Sequence, residues 1–289
     1  MHRGIISHYR RIAYSFVALG LIASAIAGQP PREVRTSSAG AFFPAADNNL
    51  YLQVGEELTY NVSYASFDIG QIRIKLLEKV ADAGKTFYKA TAYIDSYKGV
   101  PFVSLHSIYE SRIDESIYSH WFRSRTKKDT DWKYFIYNFD YAHQAMYIER
   151  GMLSNSRVEK RDTLGIEAFA QDGLSLYYYA RANVRTTQQV NIPTVVSEQK
   201  GNTLISFSNT STKEKIDAVD YPIDLVHFDG NAGFVGIFGL TGDFEGWFSN
   251  DDARVPILAK MKVLIGNIRI ELTKWDRKGW APPRYTGRD

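Results

Sequence analysis

The sequence predicts a mainly β protein: a large curved antiparallel sheet of about a dozen strands, as an open barrel or in two layers, with one main α-helix near residues 172–183. Three observations carry this reading. Apolar and polar residues alternate in segment after segment, the period that sends successive side chains to opposite faces of a strand. Turn-forming residues divide these segments at meander spacing. Only one stretch has the three- and four-residue spacing of a helix, whereas parallel crossovers would need a helix after nearly every strand.

In residues 58–64, Leu58, Tyr60, Val62 and Tyr64 alternate with Thr59, Asn61 and Ser63. A turn near Asp68 and Gly70 leads to Ile72, Ile74 and Leu76, which alternate again and complete a hairpin. Short strands follow at 87–94, 102–111, 117–124, 132–139, 144–149 and 157–163, with a charged turn at 127–131. The helix comes next, because Asp172 can cap an N-terminus and Leu174, Tyr177, Tyr178 and Arg181 recur at helical spacing up to Asn183. Strands resume at 190–196, 203–207, 223–228, 244–249, 254–265 and 268–274, and Gly266 and Asn267 suit a two-residue hairpin turn. One face of such alternating strands is wet, which favours a curved antiparallel sheet. An integral outer-membrane barrel fits less well, since the central helix and the outward charges interrupt a lipid-facing belt.

Residues 1–27 read as a secretory signal peptide. Arg3, Arg10 and Arg11 supply a basic start, residues 12–26 an apolar segment, and Ala25, Ile26 and Ala27 the small-residue pattern for cleavage after Ala27. The apolar run is shorter than the roughly 20 residues a spanning helix prefers, so no stable transmembrane segment is expected after cleavage. Residues 28–49 mix Pro, Ser, Ala and Gly without a period and read as a flexible leader. The remainder divides into a single β-rich domain at 50–275 and a C-terminal tail at 276–289. The expected location is outside the cytoplasm: periplasmic in a two-membrane bacterium, otherwise secreted.

Composition narrows the function classes. The formal charge of +3 reflects 35 Lys and Arg against 32 Asp and Glu. Removal of Arg3, Arg10 and Arg11 with the signal balances the two, which leaves no global field to attract nucleic acid. With no cysteine there are no disulfides, thiolate metal sites or Cys nucleophiles, and no lipoprotein anchor, so packing must supply stability. Phe, Trp and Tyr make up 14% of the chain, enough to fill a β core and also to line a pocket.

Three segments together resemble one family. They are Gly55, Glu56, Glu57, Leu58, Thr59 and Tyr60 with Ser63 and Tyr64; Gln171, Asp172 and the helix through Tyr178 to Arg181; and residues 247–257, from Trp247 through Asn250, Asp251 and Asp252 to Ile257, followed by Gly266 and a last apolar strand. In order and spacing they are similar to bacterial exported proteins of the domain-of-unknown-function family numbered 3108, across residues 50–273. The resemblance implies a signal-bearing envelope β protein and carries over no reaction and no catalytic residue. By analogy alone it suggests the curved half-barrels with a helix across the mouth that carry lipoproteins through the periplasm.

The candidate chemistry is sparse. Asp251 and Asp252, after Asn250 and before Arg254, are better read as a turn than as a metal site, because no twelve-residue calcium-loop spacing with a closing Glu follows. With Glu245 they are the acids that a carbohydrate hydrolase would use. His106, His120, His143 and His227 fall in no ligand pattern and read as strand residues, and no Ser lies in a G-x-S-x-G elbow. No metal and no cofactor is expected. Gly230, Gly233, Gly236, Gly239 and Gly242 recur every third residue around Phe234 and Phe238; glycines at close strand approaches explain this better than a mobile lid. Tyr177, Tyr178 and Arg181 offer aromatic faces and a cation to a glycan or a lipid headgroup, although such rings more often pin a helix to its sheet. The expectation is an exported, non-enzymatic protein that binds an apolar or amphipathic ligand (a lipid or a glycan) or an envelope protein beneath the helix, with Tyr177, Tyr178, Arg181, Phe234 and Phe238 as contacts. An envelope carbohydrate hydrolase and a purely structural or assembly role are the alternatives.

Overall fold

Fourteen antiparallel strands form one sheet in the computed structural model, which describes residues 50–100, 104–154, 157–196, 198–233, 242–262 and 267–287. The signal and leader segments, Phe102, Phe234, Phe238, Gly236, Gly239 and Gly266 lie outside the described residues. The strands are β1 (Glu57–Tyr64), β2 (Phe67–Asp82), β3 (Lys85–Ser96), β4 (His106–Asp114), β5 (Ser119–Lys128), β6 (Asp131–Asp140), β7 (Ala145–Met152) and β8 (Arg157–Gly165). After helix α1 (Gly173–Asn183) come β9 (Gln188–Val196), β10 (Gln199–Glu214), β11 (Ile223–Ala232), β12 (Gly242–Ser249), β13 (Pro256–Lys262) and β14 (Asn267–Asp276). The sheet order is β8 through β1, then β14 back to β9, so two meanders are joined edge to edge by the pairing of β1 with β14.

The alternation read in the sequence is the alternation of burial. In β1, Leu58, Tyr60 and Val62 are buried while the residues between them are half-buried, and burying one face of each strand against a shared core drives the sheet to curl. The main core joins the two meanders: Leu58, Leu76, Tyr88 and Ile113 share a cluster with Ile205, Leu225, Phe248 and Ile257. The curl brings β8 and β9 close without pairing them. Instead, residues 166–172 fill the gap: Gln171 bridges Thr194, Ala170 O accepts from Ser119 N, and Arg150 reaches Glu198 at 2.8 Å. This is the open-barrel form of the expected fold.

Helix α1 begins where Asp172 caps it. The Asp172 carboxylate accepts from Leu174 N at 2.7 Å and Ser175 N at 2.8 Å, and the Ser175 hydroxyl accepts from Asp172 N, a reciprocal cap. Leu174, Tyr178, Tyr179 and Ala180 belong to the main core, so the helix fills the curl. Its last turn is met by Arg254, whose Nη1 donates to Ala182 O at 2.5 Å, a cation placed where the helix dipole favours one.

Some boundaries differ from the expected ones. Ile117 belongs to the β4–β5 turn with φ +62°, and His143 lies in the β6–β7 turn. β2 and β10 each run to 16 residues, and each includes a stretch exposed on both faces, residues 77–82 in β2 and 208–211 in β10. The segment after β14 folds back on β11, where Asp224 N donates to Pro283 O and Tyr285 N to Pro222 O.

Candidate functional site

Alternate hairpin turns of an antiparallel meander fall at the same end of the sheet. The turns at 83–84, 115–118 and 141–144 therefore converge, and Phe169, from the segment after β8, joins them. Together they frame an open cleft of about 570 Å³ whose lining includes Lys85, Asp114, His120, Asp140, Tyr141 and Phe169.

One wall is aromatic. Phe169 stacks on Tyr118 with ring centroids 4.6 Å apart and lies 4.5 Å from the Tyr141 ring, yet it stays 48% exposed. Tyr141 is held in place because its hydroxyl donates to Ser119 O, and its ring meets His120 edge-on at 5.2 Å. Burial, reinforced by Asp114, keeps the Tyr118 phenol above its ordinary pKa, so these rings stay neutral.

The polar side is built on Asp114. Its Oδ1 accepts from Ser116 N at 2.9 Å and Tyr118 N at 3.0 Å, while Oδ2 pairs with His120 Nε2 at 2.9 Å. The turn it closes holds Ile117, a β-branched residue, in the left-handed region, a conformation costing about 1–3 kcal/mol that surrounding structure must enforce. Gln171 Nε2 does so by donating to Ile117 O at 2.7 Å. Across the cleft, a hydrogen bond from the His143 side chain, aided by His143 N, holds the Asp140 carboxyl below its usual range. An exposed ring beside carboxylates can hold an amphipathic ligand, and the Asp114 carboxylate is placed to orient the His120 imidazole.

The residues nominated from the sequence lie elsewhere. Tyr178 and Arg181 are buried in the core. Arg181 forks onto Glu56, with Nη1 2.5 Å from Oε1 and Nη2 2.8 Å from Oε2, and donates to Ala253 O at 2.8 Å; Arg277 takes the other side of Glu56. Burial alone would lower the Arg181 pKa, but the Glu56 charge outweighs it and holds the guanidinium above its ordinary value. Tyr177 is half-buried, with its hydroxyl 3.2 Å from that of Tyr60. These side chains pin the helix to the sheet and occupy the space beneath it.

Asp251 organises the β12–β13 turn: it accepts from Ser249 Oγ at 2.7 Å, Arg254 N at 3.0 Å and Trp280 Nε1 at 2.7 Å. Asp252 is exposed and pairs with Arg185 at 2.9 Å. Glu245 stands apart on β12 between His227 and Lys260, each at 3.5 Å. No group of three or more His, Cys, Asp or Glu side chains among the described residues could hold a metal ion, and no described helix is long and apolar enough to cross a membrane. Sequence reasoning missed Asp114, His120, Tyr141 and Phe169. The local signal was present, in Asp114 followed by an Asx turn and in Phe139 and Tyr141 at a strand end, but topology alone brings these segments together.

Two solved structures are similar to this chain. A β-barrel-like protein of domain of unknown function DUF1849 from Brucella abortus is 8% identical with a TM-score of 0.48, covering 76% of this chain and 96% of its own. A protein with a YmcC-like fold from Bacteroides fragilis is 8% identical with a TM-score of 0.33, covering 78% of this chain and 97% of its own. The chain matches no curated protein. The family model described as protein of unknown function (DUF3108) matches residues 59–273, across the sheet and the helix, and the chain belongs to that family.

Proposed function

We propose that this chain is exported, cleaved after Ala27, and that its β domain binds an amphipathic ligand in the cleft at the hairpin-turn end of the sheet without turning it over. The observation that carries the reading is Phe169: a large ring, 48% exposed, stacked in an aromatic wall that opens onto a cleft with a polar rim. An exposed aromatic cluster held in a fixed position is what a binding surface needs, and the volume is within the ~300–1,000 Å³ of small-molecule sites. The enforced Ile117 turn supports the same location, since strained backbone gathers at ligand sites. Export rests on the basic, apolar and small-residue segments of residues 1–27.

Cell fractionation with N-terminal sequencing tests the first part: a mature chain beginning at Gly28 outside the cytoplasm is expected, and an intact cytosolic chain refutes it. Native mass spectrometry of the protein purified from its own envelope tests the second. A bound species that Phe169→Ala removes is expected; a protein free of any adduct counts against binding.

A hydrolytic reading draws on one observation, the Asp114–His120 pair at the cleft wall, in which the carboxylate can orient an imidazole base. It predicts turnover of envelope carbohydrate that His120→Ala abolishes, with Asp251, Asp252 and Glu245 dispensable.

A further inference from the structure

From the lining of this cleft, and resting on the binding reading above, we infer that its ligand is a saccharide: a neutral or amino-substituted pyranose ring laid against Phe169. Three features select that chemistry. The open surface is aromatic, the 48% of Phe169 left exposed beside Tyr118 and Tyr141, and the C–H face of a pyranose packs on aromatic surface while its hydroxyls point sideways to the rim. The rim is dominated by acceptors, because the carboxylates of Asp114, Glu115 and Asp140 outnumber the single ammonium, Lys85. Each carboxylate has about four acceptor positions. Asp140 accepts two hydrogen bonds from His143 and one from the Ala142 backbone, and Glu115 is met among the described residues only by Lys79 at 3.8 Å, so Glu115 above all retains capacity for ligand O–H or N–H donors.

The same balance of charge disfavours phosphate-bearing headgroups, since like charges facing each other across a site are repelled. Acyl chains are disfavoured by shape: the space beneath the helix is filled by Leu174, Tyr178 and Val184, and the cleft is open. Lys85 and Thr86 at the end of the β2–β3 hairpin supply the donors that a sugar ring oxygen or hydroxyl would use.

The test is saturation-transfer NMR and calorimetry on the mature protein with three probes: a glucosamine trisaccharide, an N-acetylglucosamine trisaccharide and phosphatidylglycerol vesicles. Binding of at least one trisaccharide is expected, weakened about tenfold by Phe169→Ala. Glu115→Gln, at an exposed side chain, is expected to weaken the amine-bearing probe more than the acetylated one. Both variants must melt as the parent does, and Glu115→Gln keeps the test decisive if Phe169→Ala misfolds. Trisaccharide binding indifferent to both variants overturns the assignment to this cleft. Vesicle binding that Phe169→Ala abolishes, with no response to either sugar, overturns the saccharide while leaving the cleft as a binding site. Silence from all three probes, together with a bare native mass spectrum, overturns both.

Discussion

Glu56 is 3% exposed and lies between two guanidinium groups, those of Arg181 and Arg277. A buried carboxylate of this kind contributes little net stability as an intact cluster, yet deleting it strands buried positive charge. Glu56→Gln is therefore expected to cost about 3–5 kcal/mol, read from urea unfolding. Burial on its own would raise the Glu56 pKa, but the charge and hydrogen bonds of Arg181, with those of Arg277, outweigh it and hold the carboxyl below its ordinary value of 4.5. Its contribution is then complete above pH 4.5 and disappears as pH falls through the lower folded-state pKa. Asp172 has the opposite sign. Burial outweighs its hydrogen bonds from Ser111, Ser119 and the helix start, so its pKa is raised above 3.8 and acidification through that range favours the folded state. Thermal melts between pH 5 and pH 3 should fall less steeply for Glu56→Gln than for the parent, and more steeply for Asp172→Asn.

At the scale of the element, β11 and β12 are locked by reciprocal pairs of ring and glycine. Phe228 lies opposite Gly246 and Phe244 opposite Gly230 in the register. A Cβ at Gly246 would stand 2.3 Å from a Phe228 ring carbon, and one at Gly230 would stand 2.4 Å from Phe244. Gly246→Ala should therefore displace the Phe228 ring and cost about 1–3 kcal/mol, visible as a lower denaturant midpoint; shortening the ring in Gly246→Ala/Phe228→Leu should recover part of the loss. Gly230 shows how far such elements are legible in a sequence. A run of glycines at every third position drew attention to it, but the pairing that explains it is with a residue on the next strand. The alternation of Leu58, Tyr60 and Val62 was readable because burial imposes a period of two along the chain, and Asp172 because a cap is a local device. The exposed stretches of β2 and β10 were not readable: Glu78 and Lys79, or Asn209 and Thr210, are wet on both faces and leave no period to find. Arg181 looked like a ligand contact because its partner Glu56 is 125 residues away and appears in no local pattern.

For the whole molecule, the placement of the helix decides what the sheet can do. A curled sheet with an empty concave face would be a container; here Tyr178, Tyr179 and Leu174 complete the core from inside, and open space is left to the turns. The two meanders then behave as one body through three joints: the β1–β14 pairing, the helix, and residues 166–172 across the unclosed gap. A cleft framed by several turns stays rigid only while that body holds, which is why Ile117 depends on a hydrogen bond from Gln171 in the bridging segment. The proposed ligand site and the unclosed edge of the barrel are thus mechanically one region.

The β1–β14 seam has a further consequence. Leu50 O accepts from Arg277, so the domain enters and leaves its own weave at neighbouring points, and the order of threading is separable from the pattern woven. A rearranged gene in which a flexible linker, long enough to return from the β11 side, joins residue 287 to residue 50, with new ends cut at the exposed Asp129 turn, should yield the same architecture, because the first and last strands are already neighbours and exposed turns tolerate new ends. Circular dichroism matching the parent, with a modestly lower melting temperature, is the expected outcome, and an unfolded product would mean that the seam depends on being closed last.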